Sequence, residues 1–384
     1  MQEEMESNLD NEDEDIIEKE EMDPSIQWME KPFDPSLINI ETKTPSLDTL
    51  IKRIKNESVE LDTENYFQRK DDLWDPTKQS RLIESILIRF PLPAFFFDAS
   101  EESKWLIVDG LQRLSSVRNF CVKKSLKLTN MEFLTQLNGK TWDDLPEDLQ
   151  RVIEETQVVI YKIMPGTPTD VKFNIFKRIN TGGLVLEPQE IRHALLQGKP
   201  SKFMAELAKE KAFLEATQYK VKTHRMLDRD FANRFLGFYL FDYETYSSDL
   251  DSWMTKAMAS INEKTEEEMN RITYDFAASM KLARGVFGNE AFRKVYWNYN
   301  RLPPINKALF DAIAAQFALI SDEERNIVLK RKSSFKNQLK QLLANDPIMF
   351  AAVTSSTGDR GRVHYRHSKI KALILDVLKE NEND

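Results

Sequence analysis

A short apolar run, Trp105 to Val108, meets the turn dipeptide Asp109-Gly110, after which Leu111, Leu114, Val117 and Cys121 recur at helical spacing. The pattern predicts a buried strand, a sharp turn and a helix, so this part of the chain is α/β. The first turn of such a helix carries unpaired backbone N–H groups and the positive end of the helix dipole, where an anion can sit. Gly110 lets the backbone come close, and Gln112 with Arg113 puts an amide and a permanent cation in that first turn. The plainer alternative is a β-to-α turn whose Arg113 pairs with a nearby carboxylate.

The chain has 384 residues, enough for about two or three domains. Its one cysteine, Cys121, excludes a disulfide framework and a cysteine metal cluster, and its place on an apolar helix face predicts a core thiol. No run approaches the roughly 18 apolar residues that a membrane span needs, and no apolar leader precedes a cleavage site, so a soluble cytoplasmic protein is expected. Charge is uneven. Residues 1 to 23 hold 12 acidic groups and one lysine, whereas the remainder carries 53 basic against 51 acidic residues. Such an acidic stretch reads as a disordered, solvating tail, and a sharper reading makes it a mimic of nucleic acid covering a basic groove on the body.

An irregular, proline-bearing arm is expected from Trp28 to Thr44, then a helix carrying Leu47, Leu50, Ile51 and Ile54 on one face. A strand and turn follow over Val59 to Arg69, and a helix over Lys78 to Arg89. Ala94 to Phe97 and Lys104 to Val108 suggest a hairpin pair. Gln157 to Met164, QVVIYKIM, is the clearest β-branched strand. A helix after Thr169-Asp170 stops at Asn180-Thr181-Gly182-Gly183, a break that can form a nest of backbone N–H groups, and Pro188 opens another helix ending at Gly198. Beyond Lys199 the pattern is almost wholly helical. The fold class expected is α+β: a tail and arm over 1 to 45, an α/β domain over 46 to 200, and a helical domain over 201 to 384.

Four clusters at element ends could converge on an anionic ligand: Gln68 with Arg69; Asp109 to Arg113; Asn180, Thr181, Gly182 and Gly183; and Glu190 with Arg192. Singly, each reads as a turn or a surface ion pair. For nucleic acid, the best candidates are the basic stretches Lys330 to Lys340 and Arg360 to Lys371, with Arg360, Arg362, Arg366 and Lys369 expected on a phosphate-facing loop. The pair His364 and His367 lies among these cations, which argues against a metal there. No Gly-Lys-Ser/Thr phosphate loop, GxGxxG turn or Ser-His-Asp arrangement is present.

The series Phe67-Gln68-Arg69 with Trp74, LIESILIRFPLP at 82 to 93, VDGLQRL at 108 to 114, IFKRINTGG at 175 to 183 and LEPQEIR at 186 to 192 resembles the N-terminal domain of GmrSD-type modification-dependent restriction endonucleases. The resemblance implies a ParB/sulfiredoxin-like fold with a nucleotide held at the polar motif after a strand. In the family that motif is usually Asp-Gly-Gln-Gln-Arg and is tied to nucleotide binding and hydrolysis. Leu111 replaces the first Gln and removes one polar contact, so binding carries over more fully than turnover. What the resemblance implies is an NTP-binding module, with Mg²⁺ and NTP hydrolysis as the further activity, of a bacterial or phage-defence restriction system. Asp109 and Arg113 are its expected catalytic residues. Gln68, Arg69, Gly110, Gln112, Asn180 to Gly183, Glu190 and Arg192 are its expected nucleotide contacts. The His-Asn-His metal motif with which the family cuts DNA is not found, so a partner nuclease or defence protein is implied. The alternative is a non-catalytic DNA-binding or partner-docking protein on the same fold.

Overall fold

The computed structural model describes residues 17–18, 35–61, 74–179, 186–247, 249–295 and 301–380. The chain divides into two compact units, one over residues 33–195 and one joining residues 196–384 to the N-terminal segment that includes Ile17 and Glu18.

The first unit is built on a mixed five-stranded sheet in the order β1-β5-β3-β4-β2. Its strands are β1 Ile40–Lys43, β2 Val59–Glu60, β3 Phe95–Asp98, β4 Trp105–Asp109 and β5 Ile160–Ile163. The expected hairpin is present: β3 and β4 pair antiparallel, with Phe97 opposite Ile107 and a register shift between Phe96 and Phe97. β5 lies parallel to β3. Because side chains alternate across a strand, Phe95, Phe97 and Ile107 face one way. They form the larger core with the helices Leu47–Lys55, Pro76–Leu87 and Leu111–Val117, through Leu50, Ile83, Ile86 and Leu114. Val108 and Ile163 face the other way, onto Val171, Phe173, Phe176 and Ile191 of the helices Thr169–Ile179 and Pro188–Leu195. Phe96 stacks on Tyr161 there, ring centroids 4.7 Å apart.

Local chemistry sets the boundaries. The Asp75 carboxylate accepts the Lys78 N–H at 2.9 Å, and Pro76 occupies the first turn of Pro76–Leu87. On that helix the buried Glu84 accepts the N–H groups of Glu132, Phe133 and Leu134 at 2.9, 2.7 and 2.8 Å, which orders an otherwise irregular connector. The arm expected to be irregular contains β1, an edge strand antiparallel to β5, because Ile40 to Lys43 finds its partner some 120 residues away. The strand expected over 59 to 69 is confirmed at Val59–Glu60 and stops before Leu61; residues 62–69 lie outside the described residues.

In the second unit the described residues form helices and isolated β-bridges. Lys307–Leu319 is buried almost all round, as its apolar composition requires, and Phe310 meets Phe213, Phe231 and Phe292 at centroid distances of 5.9, 4.8 and 4.8 Å. The helical pattern expected beyond Lys199 begins as two short helices, Lys199–Leu207 and Lys211–Ala216. The loop expected before Ser368 is instead helix: Arg360–Lys379 starts where the Asp359 carboxylate caps the Arg362 N–H at 3.1 Å. Among the described residues no helix is long and apolar enough to cross a membrane.

Candidate functional site

β4 delivers Asp109 to the end of a strand flanked on both sides, and Gly110 turns the chain into the helix Leu111–Val117. Gly110 is required twice: its φ of 100° is left-handed, and a Cβ there would stand 2.5 Å from Cδ1 of Phe95. The helix continues as the π turn Arg118–Val122, whose Phe120 and Cys121 are buried. Burial pushes the Cys121 thiol up to about 12, which makes it the core thiol expected.

Arg113 closes the turn. Its side chain folds back so that Nη2 donates to Asp109 Oδ2 at 2.8 Å and to the Ala94 carbonyl at 3.2 Å, while Nη1 donates to the Pro93 carbonyl. The guanidinium also lies 4.6 Å from the centroid of the Phe95 ring. Burial lowers its pKa and the Asp109 carboxylate opposes that shift. Arginine nonetheless keeps its charge in proteins, so the result is a held cation that cross-links the start of β3 to the end of β4. The i,i+4 pairing is the plainer of the two readings open for this turn. Asp109 remains about one-third exposed, at 32 %, and its Oδ1 takes no hydrogen bond from the described residues.

Gln112 faces the protein as well. Its Oε1 accepts the Trp74 N–H at 2.8 Å, Gln79 Nε2 donates to the Trp74 carbonyl at 2.6 Å, and Asn119 Nδ2 donates to Gln79 Oε1 at 3.0 Å. This network ties Trp74 to the turn. Glu190 and Arg192 are buried on Pro188–Leu195, where Glu190 accepts the Glu187 N–H at 2.7 Å and Arg192 lies over the Phe173 ring. Gln68, Arg69, Asn180, Thr181, Gly182 and Gly183 lie outside the described residues. Among the residues expected at the site, the structure therefore gathers Asp109, Gly110 and Arg113 into one turn, with Gln112 on its inner side. The residue missed is Phe95, which seats both Gly110 and the guanidinium; no local signal marks it, since it belongs to the neighbouring strand.

An implied nucleotide has a partial fit here. The Arg113 donors described above are spent on protein oxygens, so these bonds make Arg113 a positioning residue of the turn. Asp109 is the motif side chain that turns an unpaired polar atom outward. A carboxylate repels bare phosphate and suits instead the hydrated magnesium that accompanies it, an ion that keeps several waters and takes few carboxylates.

In the helical unit Arg366 is not on a phosphate-facing surface. It is fully buried, and donates from Nε and Nη2 to the two carboxylate oxygens of Asp311, both at 3.0 Å. Arg234 reaches Asp311 Oδ2 at 3.4 Å, and His367 Nε2 stands 3.5 Å from Oδ1. These neighbours hold the Asp311 carboxyl below its ordinary range against the opposing effect of burial, and burial pushes His367 below the usual imidazole value. His364 bonds the Tyr246 carbonyl oxygen at 3.0 Å. Arg362 is drawn onto the Ser355 hydroxyl at 2.7 Å, and Lys369 pairs with Asp346 at 3.6 Å and lies over the Tyr365 ring. Of the four cations expected to face nucleic acid, Arg360 is the exposed one.

An α+β unit with a glycine-dependent strand-to-helix turn carrying an outward carboxylate is a ligand-site architecture, because such turns place backbone and side chains at the carboxyl end of a sheet. Residues 47–197 match the family described as GmrSD restriction endonuclease, N-terminal domain. No curated protein and no solved structure matches the chain.

Proposed function

We propose that the 33–195 unit is the nucleotide-binding module of a restriction system, ParB/sulfiredoxin-like in type, and that it works with a partner nuclease on DNA. The observation that carries this reading is the Asp109-Gly110-Arg113 turn, which falls inside the segment matching the GmrSD N-terminal domain. In this reading Arg113 is a positioning residue. It holds one oxygen of Asp109, so the other would accept hydrogen bonds from water bound to the Mg²⁺ of an NTP. Phosphate contacts would fall to the polar residues expected at 68–69 and 180–183. Magnesium would supply neutralisation of phosphate charge, the main requirement of phosphoryl transfer. Hydrolysis is the further step proposed, and Leu111 leaves it with fewer polar contacts than Asp-Gly-Gln-Gln-Arg would provide.

The test is a thermal-shift panel of the four NTPs, with and without Mg²⁺, on wild type, Asp109→Asn and Arg113→Lys. A ligand at 100 times its Kd stabilises by about 2.7 kcal/mol. The expected result is a Mg²⁺-dependent shift with at least one NTP in wild type that is lost in Asp109→Asn. No shift with any NTP, or an equal shift in Asp109→Asn, overturns the assignment.

A further inference from the structure

Among the described residues, Ile17 and Glu18 of the acidic N-terminal segment touch the helical unit. Ile17 bridges Ile305 in parallel, and the Glu18 N–H donates to the Ile305 carbonyl at 2.9 Å. Ile305 also bridges Arg293 antiparallel, so Ile17-Glu18 adds to an edge formed by the chain on either side of the 296–300 stretch. The Glu18 carboxylate then enters a polar seat. Its Oε1 pairs with Lys294 Nζ, and its Oε2 accepts from Asn306 Nδ2 at 3.0 Å.

The seat has its own framework. Lys294 is 12 % exposed, donates to Thr354 Oγ1 at 3.1 Å and lies over the Phe350 ring. Asn306 is buried: its second amide hydrogen goes to the Val353 carbonyl, and its Oδ1 caps Lys307–Leu319 through the Leu309 N–H at 2.7 Å. Both residues are therefore pre-set by other elements, and among the described residues Glu18 is the carboxylate that neutralises Lys294. Such a seat selects its occupant. A backbone N–H must meet the Ile305 carbonyl, which a peptide provides and a nucleic acid backbone lacks, and the next requirement is an apolar side chain followed by a glutamate.

We propose that Lys294, Ile305, Asn306 and Thr354 form a docking site for an extended acidic peptide with an apolar-glutamate pair, supplied by a partner protein, and that Ile17-Glu18 fills it in the free chain as an intramolecular competitor. A partner segment in the same register competes with Ile17-Glu18 for the Ile305 carbonyl and for the Lys294 and Asn306 side chains. The charge of residues 1 to 23 thereby has a role different from groove masking: it marks the chemistry of the partner segment.

The test uses the full chain and a fluorescein-labelled peptide of residues 12 to 23, read by fluorescence polarisation. Glu18→Lys sets two cations face to face and vacates the seat, so this variant binds the peptide at least tenfold more tightly than wild type. Adding Lys294→Met to it abolishes binding. A peptide whose own Glu18 is replaced by Gln binds more weakly, an arm that leaves the protein untouched and stands even where Lys294→Met fails to fold. Equal binding to wild type and Glu18→Lys, or none to either, overturns the proposal. Displacement of bound peptide by a single-stranded DNA oligomer also overturns it, in favour of a nucleic-acid seat.

Discussion

Each unit holds an arginine against an aspartate, and the two pairs differ in separation and in burial. Asp109 and Arg113 are four residues apart on a strand end and the helix that follows, with the carboxylate partly in water. Asp311 and Arg366 are 55 residues apart on different helices, and both are wholly buried. The first pair leaves one carboxylate oxygen facing outward. The second spends every charge internally, which fixes packing and offers a ligand nothing. A cation next to an acid is thus a site or a strut according to what remains unspent.

The comparison breaks most visibly at Asp311. Asp311→Ala leaves Arg366 buried without its anion and Arg234 with Asp230 alone, a loss of about 3–5 kcal/mol, seen by calorimetry as a fall in Tm on the order of 10 °C. Gly110→Ala should cost about 1–3 kcal/mol, because it adds a left-handed alanine to a contact with Phe95, measurable by urea unfolding. Asp109→Asn keeps the shape of the turn but weakens a charge-assisted bond to Arg113, costing about 1–2 kcal/mol. Its larger effect is on the Mg²⁺-dependent nucleotide response.

Acid sharpens the contrast further. His367 faces Asp311, Arg366, His364 and Tyr243, and its pKa is lowered by burial. The unfolded chain therefore binds the proton first, so stability falls as pH drops below the ordinary imidazole value of about 6.5. The Asp311 contribution follows only at lower pH, as its depressed carboxyl is finally protonated. His367→Gln should flatten the upper window of a Tm-against-pH series and leave the lower one. Smallest of all, Arg360→Glu should change stability by no more than about 0.5 kcal/mol. Arg362→Glu should cost more, since Arg362 holds Ser355, and equal effects from the two would contradict their placement.

Much of the first unit is legible because its signals are local. The apolar run before Asp109-Gly110 and the helical spacing after it predict β4 and its helix, and the pairing of Asp109 with Arg113 needs only the i,i+4 rule. β1 is not legible, because Ile40-Glu41-Thr42-Lys43 becomes a strand only through β5. Phe95 is missed for the same reason. Arg366 misleads because a basic run looks solvated until its partner is known, and Asp311 sits inside the apolar helix Lys307–Leu319 without any mark of its role. Early helix at Arg360 is equally hidden, although Asp359 is a capping residue that could have signalled it.

The three amides that Glu84 gathers have a dynamic consequence. Burial pushes that carboxyl up, but the N–H groups of Leu134, Glu132 and Phe133, helped by Arg81, hold it below its ordinary range, so the negative charge stays in place. Those amides belong to no helix or strand, yet they can exchange with deuterium only when the carboxylate lets go or the helix Pro76–Leu87 moves. They are expected to exchange on the slow timescale of that helix's own amides and to speed up together in Glu84→Gln. A connector without regular structure thereby opens and closes as part of a helix about 50 residues earlier in the chain.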